Sequence, residues 1–319
     1  GIPLFTSLDT ANALANALTS RYSLGNVELV DINNMRTKHK KLTFTKMRGT
    51  GNDYLYFDCF DQTVESPESL AVRLSNRRTG VGSDGIVLIM PSTIADAKMR
   101  MFNADGTEGS VAGNALRCVC KYLYENGHVR KDEMAVETGS GVKTAKLFIR
   151  EDQVFSVLVD MGCPQFAPAK IPVKLDGDRV MMRPVFLAGE KREISCVSMG
   201  NPHVVIFVED VNRIPLEQVG PQIETDSLFP ERVNVSFAQI VDKNDIVMRV
   251  WERGIGETAA CGTGACAVAV AAVENGFCTR GADIDVRLPG GTLVVRYQED
   301  GKVWLTGDAN TDFTGTIEI

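Results

Sequence analysis

An internal correspondence at a fixed offset of 149 residues constrains the fold of this chain more than any other feature of its sequence. Segments 108–127 and 257–276 each begin with Glu, share a Gly in the same place and end in Glu-Asn-Gly. A second pair of segments, beginning at Gly51-Asn52 and Gly200-Asn201, agrees at the same offset, and both run on into a strand-like stretch. Two matches with one offset indicate a duplication, so the chain is predicted to contain two similar α/β domains.

The most distinctive stretch of the repeat is WERGIGETAACGTGACAVAVAAVENG, from Trp251 to Gly276. It reads as a strand end, a glycine-rich turn and a buried helix that carries Cys261 in its first turn. The unpaired N–H groups at a helix N-terminus bind a carboxylate, and they lower the pKa of a thiol placed there. The alternative interpretation is a buried, inert structural cysteine. In the first copy of the repeat, Ala112 stands where Cys261 stands in the second.

Length and charge limit the classes of protein to consider. A chain of 319 residues is long enough for two domains with their own cores. The net charge of −7 argues against a nucleic-acid partner, because no basic stripe is present to neutralise phosphates. No apolar run reaches the ~18 residues of a membrane span, and no secretory signal is visible. The sequence therefore predicts a cytoplasmic protein with eight reduced cysteines and no membrane partner.

Three segments are predicted along the chain. Residues 1–41 form an N-terminal extension with one helical apolar face and no assigned chemistry. Residues 42–162 form the first domain. Residues 163–319 form the second, whose last strands can pack back on the first. The proline-containing stretch that begins at Gly162 is the expected connection.

Other motifs give weak signals. The run GVGSDG, Gly80 to Gly85, matches a dinucleotide-binding pattern, but it follows a helix and precedes a strand, so a tight turn is predicted instead. Cys118 and Cys120 diverge on a helix and have no suitably spaced partner, so no metal site is expected. His203 follows a proline in a predicted loop. It is either a residue that acts near Cys261 or a surface histidine.

Seven short motifs together resemble the diaminopimelate epimerase family: GTGND, FNADG, AGNALRC, GNPH, NVSF, WERG and ETAACGTGAC. The resemblance runs from about Leu42 to Ile319. It implies an α/β (α+β) fold of two pseudo-symmetric domains, each a sheet wrapped around a central helix, with the active site in the inter-domain cleft. It also implies an isomerase of lysine and cell-wall biosynthesis that interconverts LL- and meso-diaminopimelate. Such an enzyme uses no cofactor and no metal, and it commonly forms a homodimer.

The resemblance also assigns roles to residues. Cys261 is one of two acid/base thiols, Ala112 occupies the position of the other, and His203 and Glu252 tune the thiols. The main-chain cradle for the α-carboxylate and the amine region lies at the two helix N-termini, and Arg253 with several asparagines holds the distal end. The substrate-binding positions are Asn52, Asn103, Gly113, Asn114, Asn201, Asn234, Glu252, Arg253, Gly262 and Thr263.

Ala112 is the one departure from the family pattern at a catalytic position. Cys118 does not replace the missing thiol, because six residues of helix place it about 9 Å away. The chain is therefore either a Cys→Ala variant, which its otherwise intact surroundings favour, or a natural relative with Ala at this position. Three functions remain open: an epimerase that lacks one thiol, a non-catalytic amino-acid-binding protein, and a racemase for another polar amino acid.

Overall fold

The structure is a computed structural model that describes residues 40–109 and 113–318. Nearly all of the predicted N-terminal extension, and Ala112, lie outside these residues. Residues Leu42–Ile317 form one compact unit, which contains every site residue discussed below.

In the described part of the chain, eighteen strands belong to one hydrogen-bonded sheet, and four α-helices pack on it. The first half comprises β1 (Lys41–Gly49), β2 (Asn52–Asp58), α1 (Pro67–Ser75), β3 (Gly85–Met90), β4 (Ala97–Asn103), β5 (Glu108–Gly109), α2 (Gly113–Glu125), β6 (Glu133–Thr138), β7 (Gly141–Arg150) and β8 (Gln153–Asp160). The second half comprises β9 (Arg183–Leu187), β10 (Glu190–Ser198), β11 (Pro202–Phe207), α3 (Leu216–Glu224), β12 (Asn234–Asp242), β13 (Asp245–Glu252), β14 (Gly256–Thr258), α4 (Gly262–Glu274), β15 (Asp283–Leu288), β16 (Gly291–Tyr297) and β17 (Val303–Gly307). The last strand is β18 (Asn310–Glu318).

The two halves repeat the same architecture. Helix α1 corresponds to α3, and α2 to α4, at the offset of 149 residues that the sequence motifs show. The strand pairing is also the same: β2–β3 and β4–β6 are parallel, as are β11–β12 and β13–β15. The prediction of an α/β (α+β) fold with two pseudo-symmetric parts is therefore confirmed. The domain boundary at residue 162 stays a prediction.

Each half wraps its sheet around a central helix. Helix α4 is built of small residues, and every residue from Gly264 to Ala272 is buried, so strands pack closely on all its sides. Helix α2 is buried over most of its length against the strands of the first half. A third cluster of buried residues lies on the other face of β10, β11 and β12, where α3 covers it.

Among the described residues, two strand pairings connect the halves. Strands β8 and β17 pair antiparallel, with Asp160 opposite Trp304 and Val157 opposite Gly307. The last strand, β18, returns to the first half and pairs with β1. The hydroxyl groups of Thr45 and Thr314 lie 3.4 Å apart across these two strands.

Candidate active site

Cys261 is the N-cap residue of α4. Its Sγ accepts a hydrogen bond from the Gly264 backbone N–H at 3.4 Å, and the Thr263 hydroxyl lies 3.6 Å from the same sulfur. A Cβ atom at position 264 would lie 3.2 Å from the sulfur, so glycine permits this close approach. Glu252, at the end of β13, lies close enough for its carboxyl group to interact electrostatically with the thiol.

Burial controls the protonation of this pair. It raises the pKa of the Cys261 thiol well above its usual range, and the nearby charge of Glu252 raises it further. The Gly264 N–H at the helix N-terminus does lower this pKa, as expected, but removal of the thiol from water has the larger effect. Burial also raises the pKa of Glu252, against the opposing effect of the Thr258 hydroxyl, which donates to its carboxyl group at 2.6 Å.

A relay of side-chain amides leads to the N-terminus of α2. Asn114, the second residue of the helix, donates from Nδ2 to Asn52 Oδ1 at 2.6 Å. Asn114 Oδ1 is buried and has no hydrogen-bond partner among the described residues. A Cβ atom at Gly262 would lie 3.7 Å from this oxygen. The N-termini of α2 and α4 are therefore neighbours, and a buried acceptor lies between them.

The second half has the equivalent relay. Asn201 donates from Nδ2 to the hydroxyl oxygen of Thr263 at 3.2 Å, and Thr263 is the second residue of α4. His203 Nε2 lies 3.0 Å from Asn201 Oδ1. His203 is not a surface residue in a loop, as one of the two open interpretations had it: it lies in β11 and is fully buried.

Burial, and then the positive charge of Arg253, lower the pKa of His203 to about 3. The ring is therefore neutral near pH 7. Its Nε2–H donates to Asn201, which leaves Nδ1 unprotonated and without a partner in the described part of the structure.

Arg253 and Asn234 lie at the edge of this group. Asn234 Oδ1 accepts from the backbone N–H of Arg253 at 2.9 Å, and its Nδ2 donates to the carbonyl of Pro202 at 2.9 Å. Asn234 is buried, whereas Arg253 is exposed and its guanidinium donates to the Glu231 carbonyl at 3.0 Å. The buried amide of Asn234 thus fixes the backbone of Arg253, whose guanidinium lies at the surface end of the site.

The remaining assigned positions divide into two groups. Gly113 and Gly262 begin the two central helices, and a Cβ atom on either would lie within 3.6 Å of the side chain of Leu305. Asn103, at the end of β4, donates from Nδ2 to the Thr107 hydroxyl at 2.9 Å, so its side chain is tied to its own turn and not to the helix N-termini.

Asp84 also contributes to the site, although no motif in the sequence identifies it. It lies in the turn before β3, within the GVGSDG run, and its Oδ2 accepts from Asn52 Nδ2 at 3.0 Å. Arg77 donates to the other oxygen at 2.9 Å. Arg77 and Lys46 also pair with Asp53, which makes a charged cluster behind Asn52. The run is a turn between helix and strand, as predicted.

The residues that the structure describes contain no group of His, Cys, Asp or Glu side chains arranged to hold a metal ion. Within those residues, none of the helices has the length and apolar character needed to cross a membrane.

The model of the family "Diaminopimelate epimerase" matches residues 44–167 and 195–311. A relative from Acetivibrio thermocellus, named diaminopimelate epimerase, is 48% identical over 279 residues, which are 87% of this chain and 99% of the relative. One of the same name from Desulfovibrio desulfuricans is 50% identical over 285 residues, with 87% and 99% covered. The chain belongs to the diaminopimelate epimerase family.

Solved structures with the same fold are more distant in sequence. A phenazine biosynthesis protein of the PhzF family from Bacillus anthracis superposes with a TM-score of 0.64 at 18% identity, covering 88% of this chain and 100% of that one. A probable proline racemase from Agrobacterium radiobacter K84 gives a TM-score of 0.59 at 16% identity, covering 86% and 92%. At these identities the likeness concerns the fold alone.

Proposed function

We propose that this protein is a cofactor-independent isomerase that interconverts LL- and meso-diaminopimelate, present here in a form that lacks one of its two acid/base groups. The observation that carries the proposal is the placement of Cys261, which caps α4 beside Glu252 and close to the N-terminus of α2. Relatives that carry the name diaminopimelate epimerase support this choice of substrate. The reaction would belong to lysine biosynthesis.

The chemistry requires a base on one face of the α carbon and an acid on the other. Cys261 would remove the proton from one face, and the N–H groups at the starts of α2 and α4 would hold the α-carboxylate and stabilise the developing carbanion. Gly113, Asn114, Gly262 and Thr263 are the residues in place for that cradle. The proton on the opposite face must then come from water, because the methyl group of Ala112 neither gives nor takes one.

Substrate binding would activate the thiol. Burial and the charge of Glu252 favour the protonated form of Cys261. An ammonium group bound beside Glu252 would offset the carboxylate charge and lower the pKa of the neighbouring thiol. The thiolate would therefore form only when an amino acid is bound, and it would be held by the Gly264 N–H and the Thr263 hydroxyl.

The other assigned positions would hold the substrate. Arg253 suits a distal carboxylate, because a guanidinium binds carboxylates with two parallel hydrogen bonds. Asn52, Asn103, Asn201 and Asn234 would complete the site, and His203 would hold Asn201. We also propose a homodimer in a reducing compartment such as the cytoplasm, the latter supported by eight free thiols.

Restoration of the second thiol tests the proposal. The Ala112→Cys protein is expected to turn over LL-diaminopimelate several orders of magnitude faster than the present chain, because each positioned acid or base contributes about 10²–10⁴-fold. Exchange of the α-proton in D₂O and inversion, both followed by NMR and chiral chromatography, are the measurements. Full activity with Ala112 in place would refute the two-thiol mechanism.

Ala112 itself favours a second candidate, an amino-acid-binding protein for which alanine is the native residue. An Ala112→Cys protein that binds diaminopimelate tightly but catalyses neither exchange nor inversion would support it. A racemase for another polar amino acid would be recognised by turnover of that amino acid and not of diaminopimelate.

A further inference from the structure

The carboxylate of Asp84 determines which way the amide of Asn52 faces. A carboxylate only accepts hydrogen bonds, so Asn52 must turn its NH₂ group toward Asp84, where the distance is 3.0 Å. Its carbonyl oxygen then faces Asn114, which donates to it at 2.6 Å. Asn114 must in turn direct its own carbonyl oxygen away from Asn52, toward the start of α4.

The equivalent relay in the second half has the opposite polarity. The oxygen of Asn201 faces Nε2 of His203, and its NH₂ group faces the hydroxyl of Thr263. The hydroxyl of Thr263 lies 3.6 Å from the Cys261 sulfur. Asn52 and Asn201 occupy equivalent positions in the two halves but present different groups to the helices. Asn52 presents its carbonyl oxygen to α2, and Asn201 presents its NH₂ group to α4.

We propose that Asp84 is a positioning residue for recognition of an α-ammonium group. Through Asn52 it holds the amide of Asn114 with Oδ1 as a buried acceptor between the two helix N-termini. This inference deepens the proposed function and rests on it, because it takes the ligand to be an amino acid.

The arrangement separates two kinds of ligand group. Helix N–H groups attract a carboxylate, and an amide oxygen beside them accepts hydrogen bonds from an adjacent ammonium. Asn114 is 4% exposed, so an unpaired acceptor there is costly until a donor arrives. The site would therefore prefer an α-amino acid to a carboxylic acid of the same length without amines.

The network around Asp84 explains why it is suited to this task. Arg77 donates to its Oδ1, and the backbone N–H of Asp53 donates to its Oδ2 at 3.2 Å. Its backbone is also fixed, since Asp84 N donates to the Asp53 carbonyl at 2.7 Å. The carboxylate cannot rotate without the loss of these bonds, so it imposes its acceptor character on Asn52.

The test compares two ligands by calorimetry on the chain as it exists: LL-diaminopimelate, and pimelate, which has the same length and neither amine. Asp84→Asn replaces the obligate acceptor with an amide that can present NH₂ to Asn52. The expected result is a loss of about tenfold to a hundredfold in affinity for diaminopimelate, the worth of a hydrogen bond to a charged group, with pimelate binding unchanged within about twofold.

A double variant distinguishes positioning from general support. In Asn52→Asp/Asp84→Asn the two side chains are exchanged, so position 52 still presents an acceptor to Asn114. The double variant is expected to regain the preference for diaminopimelate. Asn114→Ala should lose the preference as Asp84→Asn does. It replaces Asp84→Asn in the test if that variant does not fold. The control is Asp283→Asn, which breaks another aspartate–arginine pair, with Arg296, on the surface.

The outcomes separate the two proposals. An unchanged preference in Asp84→Asn, or equal losses for both ligands with no regain in the double variant, would overturn the positioning role while diaminopimelate binding by the parent still supports the proposed function. A parent protein that binds neither ligand would overturn the proposed function, and the positioning role with it.

Discussion

The carboxyl group of Glu252 lies close enough to the buried thiol of Cys261 to raise its pKa. Burial disfavours the charged form of both groups, so near neutral pH the thiol keeps its proton. The thiol of Cys261 is therefore held in its neutral form. The effect of Glu252 on the thiol can be measured by alkylation, without catalytic turnover.

Glu252→Gln should increase the rate at which iodoacetamide alkylates Cys261, because loss of the carboxylate charge lowers the pKa of the thiol. The rate is read by peptide mass spectrometry at pH 8.5, with the exposed Cys163 as internal reference. Glu108→Gln, which removes a carboxylate paired with Arg100 in the first half, is the matched control. An equal rate in parent and Glu252→Gln would show that burial alone governs this thiol.

The buried His203 should make the protein sensitive to acid. Its pKa is about 3 in the folded protein and about 6.5 when unfolded, so the unfolded state takes up the proton first. The stability that this group contributes is complete above pH 6.5 and is lost as the pH falls toward 3. The loss by pH 5 should be roughly 2 kcal/mol. Chemical denaturation at several pH values measures it.

His203→Gln is the comparison for that measurement. Glutamine keeps an N–H donor for Asn201 and does not titrate, so its stability should fall less steeply between pH 6.5 and 5. If the free energy of unfolding falls equally with pH in the two proteins, a group other than His203 is responsible for the acid sensitivity.

Arg253→Lys should weaken diaminopimelate binding by about tenfold, because a lysine loses the paired hydrogen bonds that a guanidinium makes with a carboxylate. Calorimetry on the present chain is sufficient. Arg213→Lys, at an exposed arginine paired with Asp210, is the control and should bind as the parent does. Equal affinity in all three proteins would remove Arg253 from the binding site.

Gly220 and Trp251 should be coupled energetically. A Cβ atom at Gly220 would lie 2.7 Å from the indole ring, so Gly220→Ala should destabilise the protein by about 1–3 kcal/mol. In a Trp251→Leu background the same change should cost less, because the ring is absent. Urea denaturation of the four proteins of this cycle gives the coupling energy, and additive effects would show that α3 moves away freely.

Much of the architecture followed from the sequence because its signals are local. The offset between Glu108 and Glu257 marked the repeat, and the structure extends it to all four helices. The small residues after Cys261 indicated a buried helix, and α4 is buried on all sides. The sequence allows the last strands to pack back on the first half, but it does not identify Asn310–Glu318 as the strand that does so, because that role depends on pairing with a strand at the opposite end of the chain.

The site was predicted less completely, for a physical reason. Motifs identify residues such as Asn52 and Cys261, but not their protonation or the direction of an amide. The proline before His203 suggests a turn, whereas Pro202 begins a strand, so the sequence alone does not decide between a surface histidine and a residue that acts near Cys261. Asp84 was missed because its importance arises from a contact with Asn52, 32 residues away, and not from its neighbours in sequence.

The pairing of β18 with β1 has a consequence for folding during synthesis. Residues 45 and 314 meet across these strands although 269 residues separate them in the chain. During synthesis, β1 emerges from the ribosome early and must wait with an open edge until the last strand is made. Such an edge invites pairing with other chains. The first half is thus synthesised before the second, but its sheet edge at β1 is paired only when β18 has been made. The nascent chain is most vulnerable to aggregation at this edge.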